Sequence, residues 1–128
     1  MLKWLIVLLL LFFDQAVKIV ILNFLPQLVV FNQGIAFGFL PSDWWLAANL
    51  LIVLLVFFIW REVFPSSLII AGGLSNILDR IFKGGVVDFI DLQFWPVFNL
   101  ADLFICLGAV CFFLPGRPRQ DLISNADA

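Results

Sequence analysis

Residues 4–22 read WLIVLLLLFFDQAVKIVIL, a run that is almost entirely apolar. Its length is close to the roughly 20 residues that an α-helix needs to cross a bilayer. Three further apolar stretches follow, at residues 44–60, 67–82 and 97–114. We therefore predict an all-α membrane protein with four transmembrane helices.

The composition agrees with a membrane protein. Of the 128 residues, 64% are hydrophobic and only 12% are charged, which is too apolar for a water-soluble domain of this length. The pattern predicts a single membrane-embedded domain over residues 1–116, followed by a polar cytoplasmic tail over residues 117–128. No small-x-small cleavage site follows the first apolar run, so we interpret it as an uncleaved span rather than a removed signal peptide.

Cations that flank the spans predict the orientation. With four spans, four cations fall on the side of the termini and three on the other: Lys3, Arg61, Arg117 and Arg119 against Lys18, Arg80 and Lys83. Because Lys and Arg are enriched in cytoplasmic loops, both termini are expected in the cytoplasm.

The segment between the first two spans, residues 25–40, carries β-branched and aromatic residues on both sides of Asn32-Gln33-Gly34. This pattern favours a short hairpin or small sheet, which would form an extracytoplasmic β platform. A partly buried loop that joins the two helices fits the pattern equally well.

Polar residues inside the spans share helix faces. Asp14 and Lys18 are four residues apart, so each can neutralise the other as an ion pair on the first helix. In the third span, small and polar residues recur at spacings of three and four, namely Gly72, Gly73, Asn76, Asp79 and Arg80. Glycines let a second helix approach closely, and the polar residues would then face the interior of the bundle.

The fourth span begins with Asn99 and, three residues later, Asp102. This spacing fits a helix cap, with the acidic side chain near the positive end of the helix dipole. A small bundle would also bring these two residues towards Asn76, Arg80 and Asp88, which lie at the outer ends of the spans or in the link between them.

Asp88 and Asp102 are the residues from which we predict chemistry. Two neighbouring carboxylates cannot both ionise easily, so one keeps a proton and the pair can act as acid and base on a water. The chain has no histidine, and Cys106 and Cys111 are interpreted as small apolar residues of the last span. We therefore expect aspartic-protease chemistry, with no metal and no cofactor.

Five motifs in this order and spacing resemble the bacterial lipoprotein signal peptidases, or signal peptidase II. They are Asp14-Gln15-Ala16-Val17-Lys18, Asn32-Gln33-Gly34-Ile35-Ala36-Phe37, Gly72-Gly73-Leu74-Ser75-Asn76-Ile77-Leu78-Asp79-Arg80, Val87-Asp88-Phe89-Ile90-Asp91 and Phe98-Asn99-Leu100-Ala101-Asp102. Each motif alone is a weak signal, but together they cover most of the chain.

The resemblance implies a membrane aspartic endopeptidase that cuts prolipoproteins just before a diacylglyceryl-modified cysteine. It implies a dyad of Asp88 and Asp102 near the outer leaflet of the bacterial cytoplasmic (inner) membrane. Residues that would bind substrate or support the dyad are Asn32, Gly34, Asn76, Arg80 and Asn99, and structural polar residues are Asp14, Lys18 and Asp79. The expected partners are the prolipoprotein, membrane lipid and globomycin-type inhibitors, with no nucleic acid and no second copy of the chain.

The chain departs from the family pattern in the short separation of Asp88 and Asp102. This predicts a trimmed cover over the site. Two other function classes are compatible with the sequence: a small ion or solute carrier that uses the intramembrane charges, and a structural subunit of a membrane complex. A carrier is expected to show internal repeats, and none is found.

Overall fold

The structure is a computed structural model that describes residues 1–34, 51–54 and 63–114. Most of the predicted second span and the whole predicted tail lie outside these residues. In chain order, the elements are helix α1 (Leu2–Phe24), a 3-10 turn (Pro26–Leu28), strand β1 (Val30–Asn32), helix α2 (Val63–Lys83), strand β2 (Val86–Asp88) and helix α3 (Leu100–Phe113). Residues 51–54 are helical and lie within the predicted second span.

The helix ends follow from local sequence. Helix α1 stops at Phe24 because Leu25 precedes Pro26, and a residue before proline is disfavoured in the α region. Helix α2 is followed by Gly84, whose φ of 75° is in the left-handed region that glycine adopts most easily. Its N–H still reaches the carbonyl of Arg80 at 3.2 Å, which closes the last turn.

Helix α2 lies between α1 and α3 and contacts both, whereas α1 and α3 touch each other little. Glycines allow the close approach of α2 and α3. A Cβ atom on Gly72 would stand 2.4 Å from the carbonyl oxygen of Ala101, and one on Gly108 would stand 2.6 Å from Ile69 Cγ1. Because no side chain separates the two backbones at Gly72, the first turn of α3 packs directly against the middle of α2.

Burial is inverted relative to a water-soluble protein. Asp14 and Lys18 are fully buried, while Phe12 on the same helix is 73% exposed. Five of the buried apolar side chains form a small cluster, namely Val7, Val53, Ile70, Ala71 and Ile77. An apolar exterior around a polar interior is the arrangement expected of helices surrounded by lipid.

One helix among the described residues, Leu2–Phe24, is long and apolar enough to cross a membrane. A shorter apolar helix covers Leu100–Phe112. Helix α2 carries Asp79, Arg80 and Lys83 in its last turns, which makes it more polar than either.

The small sheet differs from a local hairpin. Strand β1 comes from the predicted platform segment, but its partner is β2, in the link that leads to α3. The strands run antiparallel, with Val30 opposite Asp88 and Asn32 opposite Val86. Residues 35–40 of the predicted hairpin lie outside the described residues. The pairing ties the segment after α1 to the strand that ends in Asp88.

Candidate active site

Asp88 and Asp102 are linked by one side chain, that of Asn99. The Nδ2 atom of Asn99 donates to Oδ1 of Asp88 at 2.8 Å. Its Oδ1 accepts from the backbone N–H of Asp102 at 2.9 Å, and its own N–H donates to Oδ2 of Asp102 at 3.2 Å. This reciprocal capping box fixes the first turn of α3 and holds both carboxylates against the same residue.

Two further side-chain amides donate to the carboxylates of the pair. Asn76 on α2 donates to Oδ1 of Asp102 at 2.9 Å, and Asn32 at the end of β1 donates to Oδ2 of Asp88 at 3.1 Å. The Oδ1 of Asn76 accepts from Asn99 at 3.0 Å, so its amide nitrogen is directed to Asp102. Each carboxylate therefore receives donors from two different elements.

The environment of Asp88 favours its protonated form. The side chain is almost fully buried in β2, with 2% of its surface exposed. Burial, followed by repulsion from Asp102, raises the pKa of Asp88 to about 7, although hydrogen bonds from Asn32 and Asn99 act in the opposite direction. Near neutral pH the pair can thus hold a single proton, as an acid and base acting together on one water requires.

Arg80 joins the outer end of α2 to the segment after β1. Its Nη2 donates to the carbonyl oxygen of Gly34 at 2.7 Å. The N–H of Gly34 donates in turn to Oδ1 of Asn32 at 2.9 Å, which forms a compact turn beside Asp88. Charge interactions also connect the Arg80 guanidinium with Asp102 and Asp88.

Next to Asp88 and Asp102 lies a cluster of three fully buried charged side chains, Asp14, Lys18 and Asp79. Lys18 Nζ is 2.7 Å from Oδ2 of Asp14 and 2.7 Å from Oδ2 of Asp79. It also donates to Oδ1 of Asn76 at 3.3 Å. The cluster therefore contacts one of the amides that hold Asp102.

All ten sequence-predicted site residues lie among the described residues, and hydrogen bonds or ion pairs connect them into one region where α1, α2, α3 and the sheet meet. Sequence reasoning missed three polar partners of this region. Ser75 donates to Asp14 at 2.5 Å, Gln15 donates to Asp79 at 2.9 Å, and Lys83 lies 2.7 Å from Asp79. Ser75 follows Gly72 by three residues and precedes Asp79 by four, so its position on the polar face was a usable signal.

A largely apolar cavity of about 210 Å³ adjoins the pair on the side of Asp102. Its other lining residues come from the link before α3 and from α3 itself, and they are Leu92, Phe94, Trp95, Phe98, Leu103 and Cys106. An apolar cavity with one carboxylate at its edge can bind an apolar group while a polar bond next to that group lies against the carboxylate.

The chain has relatives among known proteins. The family described as Signal peptidase (SPase) II matches residues 6–115. A lipoprotein signal peptidase of Syntrophomonas wolfei is 45% identical, over 65% of this chain and 62% of that protein. One of Polynucleobacter necessarius is 41% identical, over 84% of this chain and 76% of that protein.

The fold also resembles that of a solved structure, a bacterial membrane enzyme determined by the in meso method at 2.3 Å. The TM-score is 0.70 at 29% identity, and the match covers 88% of this chain and 85% of the other. The family match spans nearly every element described above, including both aspartates and all the amides that hold them. The chain therefore belongs to the signal peptidase II family of membrane proteases.

Proposed function

We propose that this chain is an aspartic endopeptidase that removes the signal peptide from diacylglyceryl-modified prolipoproteins, just before the lipidated cysteine. The observation that carries the proposal is the joining of Asp88 and Asp102 by Asn99 within a buried polar site. The names of the relatives, lipoprotein signal peptidases, support the substrate class.

Catalysis uses the pair as a unit that carries one proton. The ionised carboxylate takes a proton from a water, which attacks the scissile carbonyl carbon. The protonated carboxyl donates to the developing oxyanion and then helps the amine to leave. Because burial raises the pKa of Asp88 to about 7, this scheme assigns the retained proton to Asp88 and the role of base to Asp102.

Three asparagines orient the two carboxylates. Asn99 and Asn32 donate to Asp88, and Asn76 donates to Asp102. These donors cannot abstract a proton themselves, so they orient the carboxylates without competing for the water. Arg80 holds the turn at Gly34, which lies where an extended substrate backbone could pair with the small sheet.

The cavity beside Asp102 receives an apolar part of the substrate next to the scissile bond. Its lining by Phe94, Trp95 and Phe98 suits hydrocarbon rather than charge. The acyl chains of the lipidated cysteine remain in the bilayer and fix the register of the peptide. This positioning favours lipidated over unlipidated precursors without additional polar contacts.

The membrane arrangement is part of the proposal. Four helices cross the bacterial cytoplasmic membrane, both termini lie in the cytoplasm, and the dyad lies near the outer leaflet. The polar side chains at the end of α2 and the start of α3 support this depth, because they mark a polar end of the bundle. The enzyme acts as a monomer and is inhibited by globomycin-type compounds.

The test is cleavage of a diacylglyceryl-modified precursor by the purified protein in detergent or lipid, with an unlipidated precursor alongside. Asp88→Asn and Asp102→Asn are expected to abolish cleavage while the protein remains folded. Asp91→Asn is the matched control, because Asp91 is exposed and, among the described residues, its carboxylate accepts hydrogen bonds from Gln93 in its own turn and from no other residue.

The proposal is supported if only the lipidated precursor is cleaved, and if cleavage is lost in Asp88→Asn and Asp102→Asn but not in Asp91→Asn. Cleavage that survives both dyad substitutions would refute the dyad. A folded wild-type protein that cuts neither precursor would refute the peptidase function and direct attention to ion transport.

A further inference from the structure

The residue before each dyad aspartate is held by a buried carboxylate. The N–H of Ala101 donates to Oδ1 of Asp14 at 2.9 Å, and the N–H of Val87 donates to Oδ2 of Asp79 at 3.2 Å. Ala101 immediately precedes Asp102, and Val87 immediately precedes Asp88. A carboxylate from α1 therefore holds the backbone next to one aspartate, and a carboxylate from α2 holds the backbone next to the other.

Lys18 joins these two anchors. Its ammonium group lies 2.7 Å from each of Asp14 and Asp79, and all three side chains are fully buried. It also donates to Asn76, whose amide nitrogen holds the side chain of Asp102. Lys18 thus connects the residues that support Asp88 and Asp102, although it is not hydrogen-bonded to Asp88 or to Asp102 itself.

Stability alone is a weak reason for such a cluster. Burying a lysine and two carboxylates carries a large desolvation cost, and well-packed apolar residues are often at least as stabilising. Charge-assisted hydrogen bonds in a low-dielectric interior are short and directional, so they fix positions well. The cluster is well suited to hold two separate backbone segments at a constant separation.

We propose that Lys18, acting through Asp14 and Asp79, is a positioning residue that sets the relative placement of Asp88 and Asp102. The inference rests on the proposed function, in which these two aspartates cleave the substrate. It assigns to the buried triad a role in turnover beyond that of holding helices together.

Lys18→Met tests the inference, with Lys83→Met as the matched control. Both lysines place Nζ 2.7 Å from Asp79, but Lys83 is 24% exposed and its other described contact is Gln15. We expect Lys18→Met to lower kcat by about 10- to 100-fold with KM nearly unchanged, since small displacements of reacting groups have effects of this size. Lys83→Met should change kcat by less than about threefold.

A pH profile separates positioning from folding. The positive charge of Lys18 acts on Asp88, so its removal should move the alkaline limb of the kcat profile to higher pH. In the part of the chain that the structure describes, the charged groups around this region are Asp14 on α1, Asp79, Arg80 and Lys83 on α2, and Asp102 on α3. Lys83→Met should leave the limb where it is in the wild type. A smaller folded fraction by itself would lower the rate in either variant but would not move the limb.

Lys18→Met leaves two buried carboxylates without their shared cation, so it can fail to fold. The triple variant Lys18→Met/Asp14→Asn/Asp79→Asn removes all three buried charges and keeps side-chain oxygens that can accept from Ala101 and Val87. If the triple variant unfolds at a temperature near that of the wild type yet shows the same loss of kcat, the inference is supported.

Two outcomes would overturn the inference. One is a kcat per folded molecule that is the same in Lys18→Met, or in the triple variant, as in Lys83→Met. The other is a loss that appears only as a smaller folded fraction. Asp88→Asn and Asp102→Asn assayed in parallel distinguish this failure from failure of the proposed function, because only the latter would leave those two variants active.

Discussion

Asn99 donates its side-chain amide to Asp88 at 2.8 Å while its side-chain oxygen caps the helix that carries the other aspartate of the pair. A single residue therefore sets the orientation of one carboxylate and the start of the helix that presents the second. The two tasks use different atoms of the same amide, Nδ2 for Asp88 and Oδ1 for the cap. They can be separated by substitution.

Asn99→Ser should keep the helix cap and lose activity. Serine is about as good a helix cap as asparagine, but its short hydroxyl side chain cannot replace the amide nitrogen at Asp88. We expect kcat to fall by about 100-fold, on the scale of a lost orienting hydrogen bond in an active site. Asn99→Ala should show the same loss and, in addition, about 1 kcal/mol lower stability from the missing cap. Equal stability of the two variants would contradict the separation of the two tasks.

Cleavage should decrease as the pH rises through about 7. Burial and the neighbouring Asp102 raise the pKa of Asp88 to about 7, so above this pH the pair loses the proton that it needs as an acid. The measurement is kcat for the lipidated precursor from about pH 6 to about pH 9. A rate that stays flat or rises to the upper end of this range would show that Asp88 is not the proton-bearing carboxyl.

The stability of the wild type should also fall with pH, because of the same group. A carboxyl whose pKa is raised from 3.8 to about 7 on folding contributes stability that is fully present below pH 3.8 and is lost as the pH rises through about 7. Asp88→Asn cannot ionise, so its unfolding temperature in detergent should fall less between about pH 5 and about pH 8. Parallel curves for the two proteins would contradict this assignment.

Gly72→Ala should destabilise the protein even though alanine is the better helix former. The new Cβ would stand 2.4 Å from the carbonyl of Ala101 and 2.8 Å from Ile105 Cγ1. The gain in helix propensity is about 1 kcal/mol, against an overpacking cost of about 1–3 kcal/mol. Gly85→Ala is the control, since its nearest neighbour would be 3.4 Å away. Thermal unfolding gives the stabilities, and a smaller effect at Gly72 than at Gly85 would contradict the close helix approach.

Leu103→Trp should weaken substrate binding by filling the cavity beside Asp102. The cavity measures about 210 Å³, and Leu103 is part of its wall. We expect KM for the lipidated precursor to rise by about tenfold with a smaller change in kcat, since the cavity holds the substrate and not the reacting bond. Leu107→Trp, on the same helix but outside the cavity wall, should leave KM unchanged. An equal effect of both variants would show that the cavity does not bind substrate.

Much of the site could be expected from sequence because its residues lie at regular intervals on helices. Asn76 and Arg80 are four residues apart on α2, and Asn99 and Asp102 begin α3, so a bundle with short links had to bring them near one another. The strand pairing could not be anticipated in the same way. Val30–Asn32 pairs with Val86–Asp88 across more than fifty positions, and local turn signals carry no information about so distant a partner.

The sequence by itself determined that the chain lies in lipid, that its fold is mainly helical, and which types of residue are available for chemistry. Its apolar runs require lipid, and its lack of histidine leaves carboxylates as the hydrolytic groups. Only the tertiary structure decided which polar atoms meet. Lys18 joins Asp14 to Asp79, and these hold the backbones next to Asp102 and Asp88. Such contacts depend on the rotation and depth of helices packed through glycines, which side-chain periodicity alone does not specify.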